Sequence, residues 1–205
     1  GNPETAFSEE YNGTSWTEGN ALPVAKANSA ASGTQTAGLT AGGGTSAPTK
    51  DDTSEEYDGT NWTEGGDLNT ARYGAAGAGT QTAGLCIGGA NPYIGNTEEY
   101  NGSGWAESGD LLTGKGLGGA AGIQTSAIHF GGADPISAEA FTYDGTSWST
   151  APALPAAKRA RAGTGATINN AMTIGGLSAA STNLATVEEF SEVTSAAEAA
   201  DISFD

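Results

Sequence analysis

The chain has 205 residues, 24 of them acidic and seven basic, for a net charge of −17. So acidic a surface repels nucleic acid and anionic membrane, no run approaches the roughly 18 consecutive apolar residues of a spanning helix, and the single cysteine, Cys86, excludes an intrachain disulfide or a multi-cysteine metal site. With 33 glycines and only 37% apolar residues, a core must be built from small side chains and a few aromatics, whose even placement argues against disorder.

The first structured stretch is SEEYNGTSW (residues 8–16), which returns as SEEYDGTNW (54–62), TEEYNGSGW (97–105) and FTYDGTSW (141–148). Tyr11, Tyr57, Tyr100, Tyr143 and Phe190 fall in register at spacings of 46, 43, 43 and 47 residues, the mark of a repeat architecture. Trp16, Trp62, Trp105 and Trp148 each follow the tyrosine by five residues, across an Asn-Gly or Asp-Gly dipeptide. That dipeptide predicts a tight hairpin turn with both central residues at positive φ.

A second block precedes each later hairpin: GTQTAGLTAGG from residue 33, GTQTAGLCIGG from 79, GIQTSAIHFGG from 122 and ATINNAMTIGG from 166. Its apolar core predicts a buried strand ending at Gly-Gly. Upstream lies a small-residue run such as RYGAAGAGT (72–80), suited to an innermost strand where neighbouring backbones converge. Four short antiparallel strands per unit of about 45 residues is the blade of a β-propeller. The repeats run over about 1–22, 23–68, 69–111, 112–154 and 155–205, the first one incomplete.

Gly-Gly after an apolar strand, then Tyr, then Trp, then a basic residue opening the next unit resembles the kelch repeat over nearly the whole chain. The near-verbatim GTQTAG and EEYNGTSW also resemble kelch-like proteins of marine bacteriophages. The resemblance implies an all-β, kelch-like propeller of four-stranded antiparallel blades, about four of them visible. NPETAFSEEYNG (2–13) aligns without gaps to NPYIGNTEEYNG (91–102), so the chain begins in mid-blade. This predicts a larger ring with further blades upstream, or an edge covered by a neighbouring subunit. At the other end, DISFD (201–205) is expected to form an atypical final strand.

Equal repeat positions predict equal environments, so Tyr11, Tyr57, Tyr100 and Tyr143 are expected to be structural and Trp16, Trp62, Trp105 and Trp148 to be buried between blades. The Glu pairs (Glu9–Glu10, Glu55–Glu56, Glu98–Glu99, Glu188–Glu189) cannot converge on one substrate atom, because adjacent strand residues face opposite ways. They read as charged outer strands that discourage edge pairing. Lys26, Arg72, Lys115 and either Lys158 or Arg159 share the entry to the inner strand. They are expected either to pair with acidic residues of a neighbouring blade or, with Arg159 as the fourth member, to form a positive ring at a channel mouth for an anion or sugar acid. His129 and Cys86 align with Thr40 and Thr173 on the buried strand and read as packing residues.

No catalytic set, metal site or cofactor is expected. The expected role is a non-enzymatic structural or binding protein on a virion surface or outside the cell, such as a fibre, decoration or tail protein. Its expected partners are other structural proteins, copies of itself or surface glycans, with no nucleic acid and no membrane insertion. The alternative is a secreted or cell-surface glycan-binding propeller.

Overall fold

The computed structural model describes residues 6–44, 49–90, 92–133, 135–159, 162–178 and 182–190. The expected strand at residues 201–205 lies outside them. A hairpin of β1 (Glu9–Tyr11) and β2 (Trp16–Glu18) comes first. Blade 1 follows with β3 (Ala30–Thr34), β4 (Ala37–Ala41), β5 (Ser54–Tyr57) and β6 (Trp62–Glu64). Blade 2 holds β7 (Ala76–Thr80), β8 (Ala83–Gly89), β9 (Ile94–Tyr100) and β10 (Trp105–Glu107). Blade 3 holds β11 (Gly119–Ile123), β12 (Ser126–Phe130), β13 (Ala140–Tyr143) and β14 (Trp148–Ala151). Blade 4 holds β15 (Ala162–Thr164), β16 (Ala171–Ile174) and β17 (Val187–Phe190), with a single 3₁₀ turn at Ile168–Asn170. Each sheet is an antiparallel meander and the fold is an all-β propeller. No helix among the described residues is long and apolar enough to cross a membrane.

The inner strands β3, β7, β11 and β15 stand side by side, and their composition follows from that crowding. A Cβ on Gly77 of β7 would sit 2.4 Å from the carbonyl oxygen of Ala31 on β3, and one on Gly163 of β15 would sit 2.3 Å from that of Ala120 on β11. Larger side chains would push the blades apart at the axis.

The hairpin turns differ from expectation. Tyr57 pairs directly with Trp62, leaving a four-residue loop, and only its glycine, Gly59, has positive φ (91°). The loop is closed by its first side chain: Asp58 Oδ1 accepts the backbone N–H groups of Thr60 and Asn61 at 2.8 and 2.7 Å. Asn12, Asn101 and Asp144 do the same in their repeats. An Asx side chain thus supplies the acceptor that a two-residue turn would take from the backbone. Those two N–H bonds hold the Asp58 carboxyl below its ordinary value.

Each blade leans on its predecessor through the same side chains. Tyr–Trp pairs stack at ring-centroid distances of 4.8 to 5.2 Å in all four hairpins. The tyrosine hydroxyl donates to a glutamate of the preceding unit: Tyr57 to Glu10, Tyr100 to Glu56 at 2.5 Å, Tyr143 to Glu99 at 2.6 Å. Trp105 Nε1 donates to Ser54 Oγ at 3.3 Å and Trp148 Nε1 to Thr97 Oγ1 at 2.9 Å, again one blade back. Gln81 and Gln124, from the inner turns, donate to Tyr57 and Tyr100 carbonyls at 2.8 Å.

The four tryptophans are therefore not equivalent. Trp105 and Trp148 are 9% and 4% exposed, Trp62 is half-buried against the short β1–β2 hairpin, and Trp16 is 66% exposed. Burial of this position depends on the preceding unit, and among the described residues no unit precedes the hairpin that carries Trp16. The glutamates also depart from the expected solvated edge. One member of each central pair is buried inside its blade and the other bonds the next tyrosine.

Candidate functional site

The basic positions at the strand entries lie inside the blades. Lys26 pairs with Glu55 at 2.9 Å, Arg72 with Glu98, Lys115 with Glu139 at 2.7 Å and Lys158 with Glu188 at 2.7 Å. All four cationic side chains are at most 2% exposed. Each pair stays within its own blade, not with a neighbour: in blades 1, 2 and 4 it joins the entry of the inner strand to the third strand, and in blade 3 to Glu139, just before β13. The positive ring expected at the channel mouth is thus a set of neutralised pairs, because a desolvated cation needs a carboxylate close by.

Arg72–Glu98 is the most completely satisfied pair. The carboxylate also accepts from Asn69 N, Asn69 Nδ2 and Thr70 N at 2.7, 2.9 and 3.2 Å. The guanidinium also donates to the carbonyls of Thr70, Gly88 and Asn96 at 3.1, 3.3 and 2.8 Å. In blade 1, burial pushes the Glu55 carboxyl up against the pull of Lys26. In blade 3 the carboxylate comes from a different place: Phe141 stands where the other blades carry glutamate, and Lys115 reaches to Glu139, which is 49% exposed and held below its ordinary value by that contact.

The fourth member of the series is Lys158. Its carbonyl accepts from Gly132 N at 3.0 Å, as those of Arg72 and Lys115 accept from Gly43 and Gly89, both at 2.8 Å. Arg159, one residue on, goes elsewhere. It lines a cavity of about 190 Å³ at one end of the channel together with Asn28, Ser29, Gly74, Leu117 and Gly118, and its Nε is buried without a hydrogen-bond partner. Asn28 and Leu117 there have positive φ, 54° and 59°, and Gly74 between them 68°. The backbone N–H of Gly74 bonds Asn28 O at 2.9 Å and that of Leu117 bonds Gly74 O at 2.6 Å, so the rim is knitted from blade to blade. Beyond it, cavities of about 240, 240 and 340 Å³ follow along the inner strands, walled mainly by glycine, alanine and threonine. Among the described residues Arg159 is the one ionisable side chain on these walls.

His129 and Cys86 are both fully buried on the second strands. Neither imidazole nitrogen has a hydrogen-bond partner. Burial, and then the nearby Lys115, push the imidazole down to about 4. A Cβ on Gly118 would lie 2.4 Å from His129 Nε2, so the histidine is accommodated by a glycine where the other described repeats carry Ser29 and Ala75. Burial pushes the Cys86 thiol up to about 12, which keeps it a neutral packing group. No group of three or more His, Cys, Asp or Glu that could hold a metal ion occurs among the described residues.

No family model matches the chain, and no curated protein matches it. Among solved structures it is similar to one described as "Structure of YjhT", with a TM-score of 0.75 at 14% sequence identity, covering 92% of this chain and 73% of that one. A likeness at that identity concerns the fold alone.

Proposed function

We propose that this protein is a non-enzymatic kelch-like propeller that binds other proteins, and that it stands on a virion surface as a fibre, decoration or tail component. The observation that carries the non-enzymatic reading is the fate of the cation–carboxylate groups. In all four blades the cation is buried against a carboxylate of its own blade, which in blades 1, 2 and 4 stands on the third strand, instead of facing a substrate. The order of Gly-Gly, Tyr, Trp and a basic residue supports the kelch-like reading. The marine-phage wording of GTQTAG and EEYNGTSW supports the virion. Antibody against this chain should label intact particles purified from the source culture, and its peptides should be found in the particle proteome. Absence from purified particles refutes the virion, and glycoside or sugar-alcohol turnover abolished by a substitution in this chain refutes the non-enzymatic assignment.

The cavity beside Arg159 favours a second reading, a glycan-binding propeller. A guanidinium next to the Asn28 amide and the Ser29 hydroxyl suits a small hydroxylated anion. Calorimetric titration with acidic and neutral glycans, on the wild type and on Arg159→Gln, separates the two. Binding of acidic glycans that is lost in the variant supports this reading, and no binding by either protein removes it.

A further inference from the structure

Four hairpin loops share one geometry, yet two of them open with Asp58 and Asp144 and two with Asn12 and Asn101. In the Asp loops one carboxylate oxygen accepts two backbone N–H groups at 2.7 to 2.9 Å. In the Asn loops the amide oxygen takes the same seat. Asn12 Oδ1 accepts from Thr14 N and Ser15 N, both at 2.9 Å. Asn101 Oδ1 accepts from Ser103 N, Gly104 N and Ser103 Oγ at 3.0, 3.1 and 2.9 Å. As acceptors the two residue types are interchangeable here.

The Asn loops carry a chemistry that the Asp loops do not. Each asparagine is followed by glycine, Gly13 or Gly102, and these are the two Asn-Gly sequences of the chain. A glycine nitrogen, with no side chain in the way, can attack the amide carbon of the preceding asparagine and close a five-membered succinimide. Asn12, Gly13 and Asn101 are exposed, and neither glycine N–H donates a hydrogen bond among the described residues. The attack puts negative charge on Oδ1, which already rests on two donors in one loop and three in the other. Donors aimed where charge develops are the parts of an oxyanion hole. The same bonds hold the side chain turned back along its own backbone, which shortens the search for the attacking geometry.

We propose that Asn12 and Asn101 are sites of self-catalysed deamidation, in which the folded loop speeds ring closure and directs it to the ordinary aspartyl product. The glycine nitrogen gives its proton to solvent and bonds to Cγ. The Cγ–Nδ2 bond breaks, and the nitrogen leaves as ammonia after taking a proton from solvent. Water then adds to the Cγ carbonyl, whose oxygen rests on the same donors, and the bond from Cγ to the glycine nitrogen breaks. One water is consumed, one ammonia is released, and nothing is oxidised or reduced. Addition of water at the main-chain carbonyl would give isoaspartate instead, but that oxygen accepts no hydrogen bond among the described residues at Asn12 or Asn101. The product is a loop of the Asp58 and Asp144 kind, whose carboxyls are held below their ordinary value by backbone N–H bonds, first those of Asn61 and Ser147. Conversion at both sites adds two negative charges to a chain already at −17.

The full chain, held in mildly alkaline buffer and sampled by ion exchange and peptide mass spectrometry, tests this against the same chain in urea. Fragmentation that separates aspartate from isoaspartate reads the product at each site. The folded chain is expected to convert Asn12 and Asn101 at least about threefold faster than the unfolded one. Aspartate should be its main product, where the unfolded chain yields mainly isoaspartate. Ser103→Ala takes one donor from Asn101 Oδ1 and should slow that site about fivefold, leaving Asn12 of the same molecule unchanged. Asn12→Asp combined with Asn101→Asp should keep the wild-type Tm. Folded conversion no faster than in urea overturns the proposal, as does isoaspartate as the main folded product. A Ser103→Ala variant with unchanged conversion at Asn101, or a lowered Tm in the double Asp variant, overturns it equally.

Discussion

Replacing Glu98 by alanine should be among the most damaging single changes to this protein. The side chains of Arg72 and Glu98 are both fully shielded from solvent. Removing the carboxylate leaves the guanidinium buried with only three carbonyls for company, a loss of the kind that costs about 3 to 5 kcal/mol. It also strands the N–H groups of Asn69 and Thr70, which accounts for about a further 1 to 3 kcal/mol. Some of this is recovered if water enters, so about 5 kcal/mol is expected, a large fraction of the roughly 5 to 15 kcal/mol that holds a typical domain. Glu139→Ala serves as the control. It removes the same kind of partner from Lys115, itself 2% exposed, but from a position 49% exposed, where water can take the place of the carboxylate, and should cost about 1 to 3 kcal/mol, less than Glu98→Ala. Urea unfolding followed by tryptophan fluorescence and far-ultraviolet circular dichroism gives both values from the shift in midpoint. The paired change Arg72→Met with Glu98→Leu should recover only part of the loss, because the Asn69 and Thr70 N–H groups and the Gly88 and Asn96 carbonyls still lack partners. A Glu98→Ala midpoint no lower than that of Glu139→Ala would refute the account of these pairs as interior struts.

Trp148→Ala should destabilise by about 3 to 5 kcal/mol and Trp16→Ala by less than about 0.5 kcal/mol, measured in the same urea titrations; equal losses would restore the equal-environment expectation. Tyr57, Tyr100 and Tyr143 are each pushed up to about 12. The first cause is the Glu10 hydrogen bond for Tyr57 and burial for the other two. With folded values above the unfolded one of about 10, their contribution is complete below pH 10 and lost as pH rises through 12, which absorbance of phenolate against pH will follow. Tyr100→Phe should cost about 1 kcal/mol at neutral pH and reduce that alkaline loss. His129 runs the opposite way: its value of about 4 lies below the unfolded one of about 6.5. The neutral ring therefore contributes fully above pH 6.5, and its contribution disappears as pH falls through 4. His129→Thr, the residue found at Thr40 and Thr173, should flatten the stability curve across that window in acid-unfolding measurements.

The blade plan was legible because it is written in local chemistry. A tyrosine, an Asx-Gly and a tryptophan at fixed spacing can hardly be anything but strand, loop and strand, and Gly/Ala runs at one phase of the repeat mark the crowded axis. What escaped was relational. Asn-Gly and Asp-Gly suggest a left-handed backbone, whereas the Asn and Asp side chains close the loop through the N–H groups two and three residues on. Within one strand the glutamates carry no such signal; their meaning lies in coincidence with residues one unit away. Tyrosine stands at 57, 100 and 143 where the preceding unit carries Glu10, Glu56 and Glu99, and phenylalanine stands at 190 where it carries Thr142. That pairing could have been read from the repeats laid side by side. The choice between Lys158 and Arg159 could not, since only the backbone register of blade 4 decides which of two adjacent cations enters the sheet.

One residue type does two jobs at every junction. Through its side chain, the entry cation fastens the inner strand of its own blade to a carboxylate on the third strand or, in blade 3, just before it, and through its carbonyl it accepts from a glycine of the blade before, as in Gly43–Arg72, Gly89–Lys115 and Gly132–Lys158. A tensile load passed along the array must therefore cross these residues in series. The first two junctions share the load with tyrosine–carboxylate, tryptophan–hydroxyl and glutamine–carbonyl bonds, while among the described residues the last carries it on the Gly132–Lys158 and Gly122–Gly165 backbone bonds, each 3.0 Å long, and on apolar contact that resists shear poorly. Pulled from its two ends, the array should part between blades 3 and 4 and leave the first three blades joined.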